Sequence, residues 1–242
     1  VIFVEKEKKY ATMADGSQIY YEKSGHGSPL FLLHGNGGSG KYFSKQVPEL
    51  EHDFQIFLID SRGHGRSTND APTLNFRLMA DDLKTIMLLE NIHKADFLGF
   101  SDGANLAMMF ASMYPQSVHR LILNAGNTTT SGVHLLGQLA SYTQFIFAFI
   151  LSLFYPKMKK KVQSLSLLLH DIGVTETELK QIPCPTLILV GKHDIIKLKH
   201  SMYLAKVIPK ASFVLVSGQG HAFARKNPER FNFEILKFLK EK

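Results

Sequence analysis

The chain has 242 residues, of which 45% are hydrophobic and 20% charged, the balance of a globular protein with room for one sizeable α/β domain and not of a disordered chain. Its net charge of +7 comes from lysines that are scattered, apart from Lys157 to Lys161 and the two ends, so it reads as solvated surface and no nucleic-acid partner is expected. A single cysteine, Cys184, excludes an intramolecular disulfide, suits a reducing compartment and, within "IPCPTLILV", reads as a buried inert thiol.

Taken in order, the opening "VIFVEKEKKY" has too short an apolar stretch for a signal peptide and lacks a small-residue cleavage site, so a cytoplasmic protein is expected. "SQIYYEKSG" is the clearest early strand, and the opening segment is expected to form an antiparallel edge. Apolar runs of strand length follow at residues 30–33, 54–59, 95–100, 121–123, 186–190 and 213–216. Such near-continuous runs suit strands buried on both faces. Helical patterns lie between them: Met79, Leu83, Ile86 and Leu89; residues 104–113; and Phe231, Ile235 and Phe238. The alternation predicts an α/β fold with a mostly parallel central sheet and helices on both faces. It breaks once, where residues 121–156 carry no Asp, Glu, Lys or Arg and "KMKKK" follows. Residues 128–182 are therefore read as a helical cap inserted into a core of 1–127 and 183–242. Within it, "FIFAFILSLFY" is 11 residues, short of the ~20 of a spanning helix, and Gln144, Thr143 and Ser141 lie upstream. No stable membrane insertion is expected. The stretch is expected to hide one apolar face against the core and line an acyl pocket with the other through Phe145, Phe149 and Phe154.

"FLLHGNGGSGKYF" satisfies several motif templates at once. From Gly35 it reads as a phosphate-binding loop with Lys41, but Tyr42 stands where a Ser or Thr hydroxyl would meet Mg²⁺. Gly35, Gly37 and Gly40 also match a dinucleotide fingerprint, with the acid Asp60 arriving 25 residues on, late against the usual ~20. His34-Gly35 also makes a His-Gly turn.

"FLGFSDGAN" decides among them. Gly99-Phe100-Ser101-Asp102-Gly103 is G-x-S-x-G between an apolar strand and an apolar helix, the context a nucleophile elbow needs. Glycine at both flanks lets the turn close, and the helix N-terminus beneath favours developing negative charge. A serine hydroxyl needs a base, and the base needs an orienting acid. "TLILVGKHD" ends a later strand in Asp194, and "FVLVSGQGHAF" ends the next in His221. With "DSRGHGRS", similar to a D-x-R-G-x-G-x-S turn, the chain resembles the α/β-hydrolase superfamily over essentially its whole length.

That resemblance implies a serine hydrolase with a catalytic triad of Ser101, Asp194 and His221. It implies an oxyanion hole from the backbone N–H groups of Asn36 and Asp102, with Gly37 as the fallback for the first donor. Gly37 and Asp102 join Phe145, Phe149 and Phe154 as candidate substrate contacts. The "SDG" elbow is also similar to that of biphenyl-hydrolase-like, valacyclovirase-type members, which act on amino-acid esters, so Asp102 either braces the elbow or attracts an ammonium group. His34, His64 and Arg66 are read as braces under the site. No metal motif is present in the eleven histidines and one cysteine, and no cofactor is expected. The expected substrate is a small-molecule carboxylic ester with a small to medium hydrophobic acyl group. A carbon–carbon bond beside a ketone is the alternative, and a slow-turnover ligand receptor that keeps the triad is another. The expected assembly is a monomer or small homo-oligomer.

Overall fold

The computed structural model describes residues 6–241; residues 1–5, where the signal-peptide expectation begins, and Lys242 lie outside that range. Among the described residues one sheet forms from β1 (Glu7–Thr12), β2 (Gln18–Ser24), β3 (Ser28–Leu33), β4 (Phe54–Ile59), β5 (Ala95–Phe100), β6 (Val118–Asn124), β7 (Thr186–His193) and β8 (Ala211–Gly220). Their spatial order is β1-β2-β4-β3-β5-β6-β7-β8. β1 and β2 pair antiparallel, β2 runs antiparallel to β4, and every later pairing is parallel. The antiparallel edge expected of the opening segment is thus made by two strands.

The helices are α1 (Val47–Leu50), α2 (Phe76–Leu89), α3 (Asp102–Met113), α4 (Leu135–Ser152), α5 (Lys159–Ser166), α6 (Glu176–Lys180), α7 (Leu198–Val207), α8 (Phe223–Lys226) and α9 (Pro228–Lys240). Successive strand residues point to opposite faces, and the central strands supply apolar side chains to both. On one face Phe31, Leu33, Phe97 and Leu121 pack with residues of α2, α3, α6 and α7. On the other, Leu30, Leu32, Leu98 and Ile122 pack with residues of α1, α8 and α9. Phe231, Ile235 and Phe238 are buried as their spacing predicts, each such side chain contributing roughly 1.5–3 kcal/mol. Leu89 departs from the predicted stripe: it is exposed at the last turn of α2, and Met87, one turn after Leu83, takes the inward place.

The cap departs further. Helix α4 has 18 residues, longer than the apolar run alone suggested, and Ala148 is its one buried residue. Its least exposed positions are Gly137, Gln138, Ser141, Phe145, Ala148, Leu151 and Ser152. Leu136, Leu139, Ile146, Phe147 and Ile150 point outward and are exposed. The expected orientation, apolar face to the core, therefore holds in the C-terminal half, where Phe145, Ala148 and Leu151 turn inward, and fails in the N-terminal half, where Gly137, Gln138 and Ser141 do. The cause lies at its ends. A bridge between Val133 and Ile196 and the bond from His134 N–H to the Ile195 carbonyl set the entry of α4, and α5 packs beneath it. Later in the segment, Leu167, Ile172, Leu179 and Ile182 join the main core, so only part of 128–182 stands away from it.

Candidate active site

Ser101 stands between β5 and α3 with φ 53° and ψ −120°, a conformation costly for any residue with a Cβ. The surrounding backbone imposes it. Ser101 N–H donates to the Asn124 carbonyl at 2.9 Å, while Ala104 and Asn105 N–H groups donate to the Ser101 carbonyl. A Cβ on Gly99 would strike the Gly103 carbonyl, and one on Gly103 would strike the carbonyl of Leu33. Both flanking glycines are therefore steric requirements of the turn.

The ends of β7 and β8 bring two more groups to this point. His221 Nε2 lies 3.1 Å from Ser101 Oγ, and His221 Nδ1 lies 2.8 Å from Asp194 Oδ1. Asp194 Oδ1 also accepts the Ile196 N–H at 2.9 Å, which fixes the carboxylate to its own turn. The Asp194 side chain is buried and the imidazole about a quarter exposed, with its other face tilted against Phe100. With the Nδ1 proton directed at a carboxylate that can only accept, Nε2 is left to accept from the serine hydroxyl.

Asp102 is the first residue of α3, where helix N–H groups have no intrahelical partner. The backbone N–H groups of Asp102 and Asn36 find no protein acceptor among the described residues. The Asp102 carboxylate accepts from Asn36 Nδ2 at 2.9 Å and from Asn105 Nδ2 at 3.2 Å. Burial raises its pKa to about 6, against the pull of those two amides and of nearby His221. No cation pairs with it among the described residues.

A cavity of about 60 Å³ opens beside Ser101 and Asp102. Asn105 and Asn127 wall it from the core, Gly137, Gln138 and Ser141 from α4, and Leu167, Leu168, His170, Ile195 and Ile196 from the remaining sides. Phe145, Phe149 and Phe154 do not line it, which corrects the expected acyl contacts: the N-terminal half of α4 covers the cavity, and Phe149 and Phe154 are exposed to solvent. Gly37 is also displaced, facing a separate hollow shared with Gly65 and Lys160. Of the residues the sequence reading missed, Asn105 had a signal, lying one helical turn from Asp102 on an otherwise apolar helix. Gln138, Ser141 and His170 carried none.

The residues read as braces occupy such positions. His34 Nδ1 donates to the Gly35 carbonyl at 2.7 Å and its Nε2 accepts the Ser61 N–H at 3.0 Å, a neutral ring whose pKa burial lowers. Burial likewise brings His64 down to about 4. Asp60, the acid of the rejected dinucleotide reading, accepts from the N–H groups of Gly40 and Arg66 and from Arg66 Nε. It ties the glycine loop to the turn after β4. Among the described residues no group of three or more His, Cys, Asp or Glu side chains is placed to hold a metal ion.

The family model described as alpha/beta hydrolase fold matches residues 28–166, more than half of the chain. The chain belongs to the α/β-hydrolase fold family. It is 26% identical to RutD of Yersinia enterocolitica, a protein named for a proposed carbamate hydrolysis, over 91% of this chain and 92% of that one. An esterase from Exiguobacterium antarcticum superimposes with a TM-score of 0.83 at 20% identity, covering 97% of this chain and 100% of that one. A meta-cleavage product hydrolase from Pseudomonas fluorescens does so with a TM-score of 0.78 at 22% identity, covering 96% and 97%. The activity class of the chain is accordingly hydrolysis, on a small-molecule substrate.

Proposed function

We propose that the protein is a serine hydrolase that cleaves a small carboxylic ester through an acyl-enzyme intermediate. The observation that carries this reading is the continuous hydrogen-bonded path from Ser101 Oγ through His221 to Asp194, with steps of 3.1 and 2.8 Å, at the mouth of a cavity. Ser101 Oγ attacks the carbonyl carbon as His221 Nε2 takes its proton. Asp194 holds the imidazole in the tautomer that can accept it. The N–H groups of Asn36 and Asp102 receive the tetrahedral oxyanion, with the dipole of α3 adding to the field there. His221 then returns the proton to the departing alcohol. A water, deprotonated by the same nitrogen, attacks the acyl-serine and releases the acid.

Cavity size supports short acyl groups over the medium chains expected from the cap aromatics. Its polar wall of Asn105, Asn127 and Gln138 suits an acyl portion with hydrogen-bonding groups of its own. That wall, with the name borne by RutD, favours carbamates as a second substrate class. Hydrolysis of p-nitrophenyl acetate, butyrate, octanoate and an N-unsubstituted carbamate tests both. Rates should fall from acetate to octanoate. Labelling by a fluorophosphonate should occur at Ser101 and disappear in Ser101→Ala. Labelling at another serine would refute the proposed nucleophile.

A further inference from the structure

Helix α4 leaves most of its large apolar side chains in solvent. Facing the rest of the protein it sets Gly137, Gln138, Ser141, Phe145, Ala148, Leu151 and Ser152, while Leu136, Phe147 and Ile150 stand in solvent at 81%, 66% and 50% exposure. The apolar surface continues past the helix into Leu153, Phe154 and Tyr155, all exposed. Contiguous apolar surface of this kind on a soluble fold marks an interaction site. The neighbouring charge has one sign. Lys157, Lys159, Lys160 and Lys161 follow directly and are exposed, and no acidic residue occurs between Gly103 and His170.

By length and composition this helix is apolar enough to cross a bilayer, with mean hydropathy 1.4. Its connections do not allow it. The Val133–Ile196 bridge holds the entry, and at the exit Lys160 Nζ donates to the Ser67 carbonyl at 2.8 Å while Asn36 binds the Ser164 carbonyl. Both ends are thus fastened to one side of the same fold. A helix of 18 residues, about 27 Å long, is held flat and cannot place its ends on opposite sides of a membrane.

We infer that the outer face of α4, with the lysines after it, docks the protein on an anionic lipid bilayer, lying in the interface without spanning it. Outward aromatic and aliphatic side chains beside a basic cluster combine the two contributions that hold a helix at an interface, buried apolar area and attraction to anionic lipid. Anionic headgroups supply the negative charge that α4 and the lysines after it lack. A second copy packed in parallel on α4 would instead bring the same lysines toward one another, and an antiparallel copy would leave them without a counter-charge. The inference does not depend on the proposed chemistry, since it reads binding and not turnover.

The test is co-sedimentation of the full chain with vesicles of phosphatidylcholine alone and of phosphatidylcholine mixed with phosphatidylglycerol. Binding should favour the anionic vesicles and weaken as salt rises. Phe147→Ser combined with Leu153→Ser should lower partition by more than tenfold. Lys157→Gln and Lys159→Gln should each lower it by about fivefold. Both positions of the double variant are exposed, so hydrolysis of a short soluble ester should persist; should that variant fail to fold, the lysine variants carry the test. Absence of binding to anionic vesicles would overturn the inference, as would binding that neither set of variants changes. Retention through an alkaline carbonate wash would overturn it in favour of a spanning helix. A dimer that these variants dissociate, and that stays off the vesicles, would assign the face to a second copy.

Discussion

Asn36 Nδ2 donates to Asp102 Oδ2 at 2.9 Å and also reaches the carbonyl oxygen of Ser164. One amide therefore fastens the loop after β3, the turn after β5 and cap helix α5 together. Asn36→Ala keeps the backbone N–H but leaves a buried carboxylate with one donor. A hydrogen bond to a charged group contributes about 1.5–3 kcal/mol. Urea denaturation near pH 8 should show a loss of that size, and kcat should drop roughly tenfold as the cap and elbow lose their common tie. Unchanged stability and unchanged kcat would remove Asn36 from this role.

Ser101→Ala should lower kcat by roughly 10⁴–10⁶-fold with the fold intact by circular dichroism. His221→Ala should do about as much, and the double variant little more, because the proposed base and nucleophile would act as one unit. Losses that multiplied in the double variant would mean that the two residues act independently.

Ser101 also carries backbone strain, with φ at 53°. Glycine adopts that conformation without a Cβ penalty. Ser101→Gly should thus be more stable than Ser101→Ala by about 1 kcal/mol while equally inactive. A glycine variant that melts below the alanine variant would show the turn to be relaxed.

The pKa of about 6 at Asp102 gives amine recognition a pH signature. Below that pH the carboxyl is neutral and cannot attract an ammonium group; above it the charge is present. Substrate α-amino groups keep their proton up to ~7.7. Preference for an α-amino ester over its des-amino analogue, measured as a ratio of kcat/KM, should rise through pH 6 and fall again above the amine pKa. Asp102→Asn should flatten that profile and cost the amino ester about ten- to a hundredfold. A ratio independent of pH in the parent protein would leave Asp102 a brace for the elbow.

Acyl-length preference should respond to the cavity wall and not to the cap aromatics. Ser141→Leu intrudes on the cavity and should depress butyrate hydrolysis more than acetate hydrolysis, by roughly tenfold or more. Phe149→Ala and Phe154→Ala should leave the chain-length profile as it is. An altered profile in either phenylalanine variant would restore those residues to the substrate site.

The sequence by itself determined whatever depends on neighbours along the chain. Apolar runs such as 54–59 and 95–100 are strands because their residues must be buried on both faces. The Gly99–Gly103 turn was legible because only glycine fits where backbone crosses backbone. The meeting of Asp194 and His221 beside Ser101 was legible since each of the two directly follows a strand, and parallel strands deliver their C-terminal ends to one edge. The tertiary structure decided what depends on distant ties. Helix α4 is apolar on most sides, so periodicity could not say which side turns inward. The Val133–Ile196 bridge and the contacts of α5 made that choice. The same ties placed Gln138 and Ser141 over the cavity and left Phe149 and Phe154 in solvent. Asn36 was chosen for its backbone, but its side chain found partners 66 and 128 residues away, a pairing that no local pattern encodes.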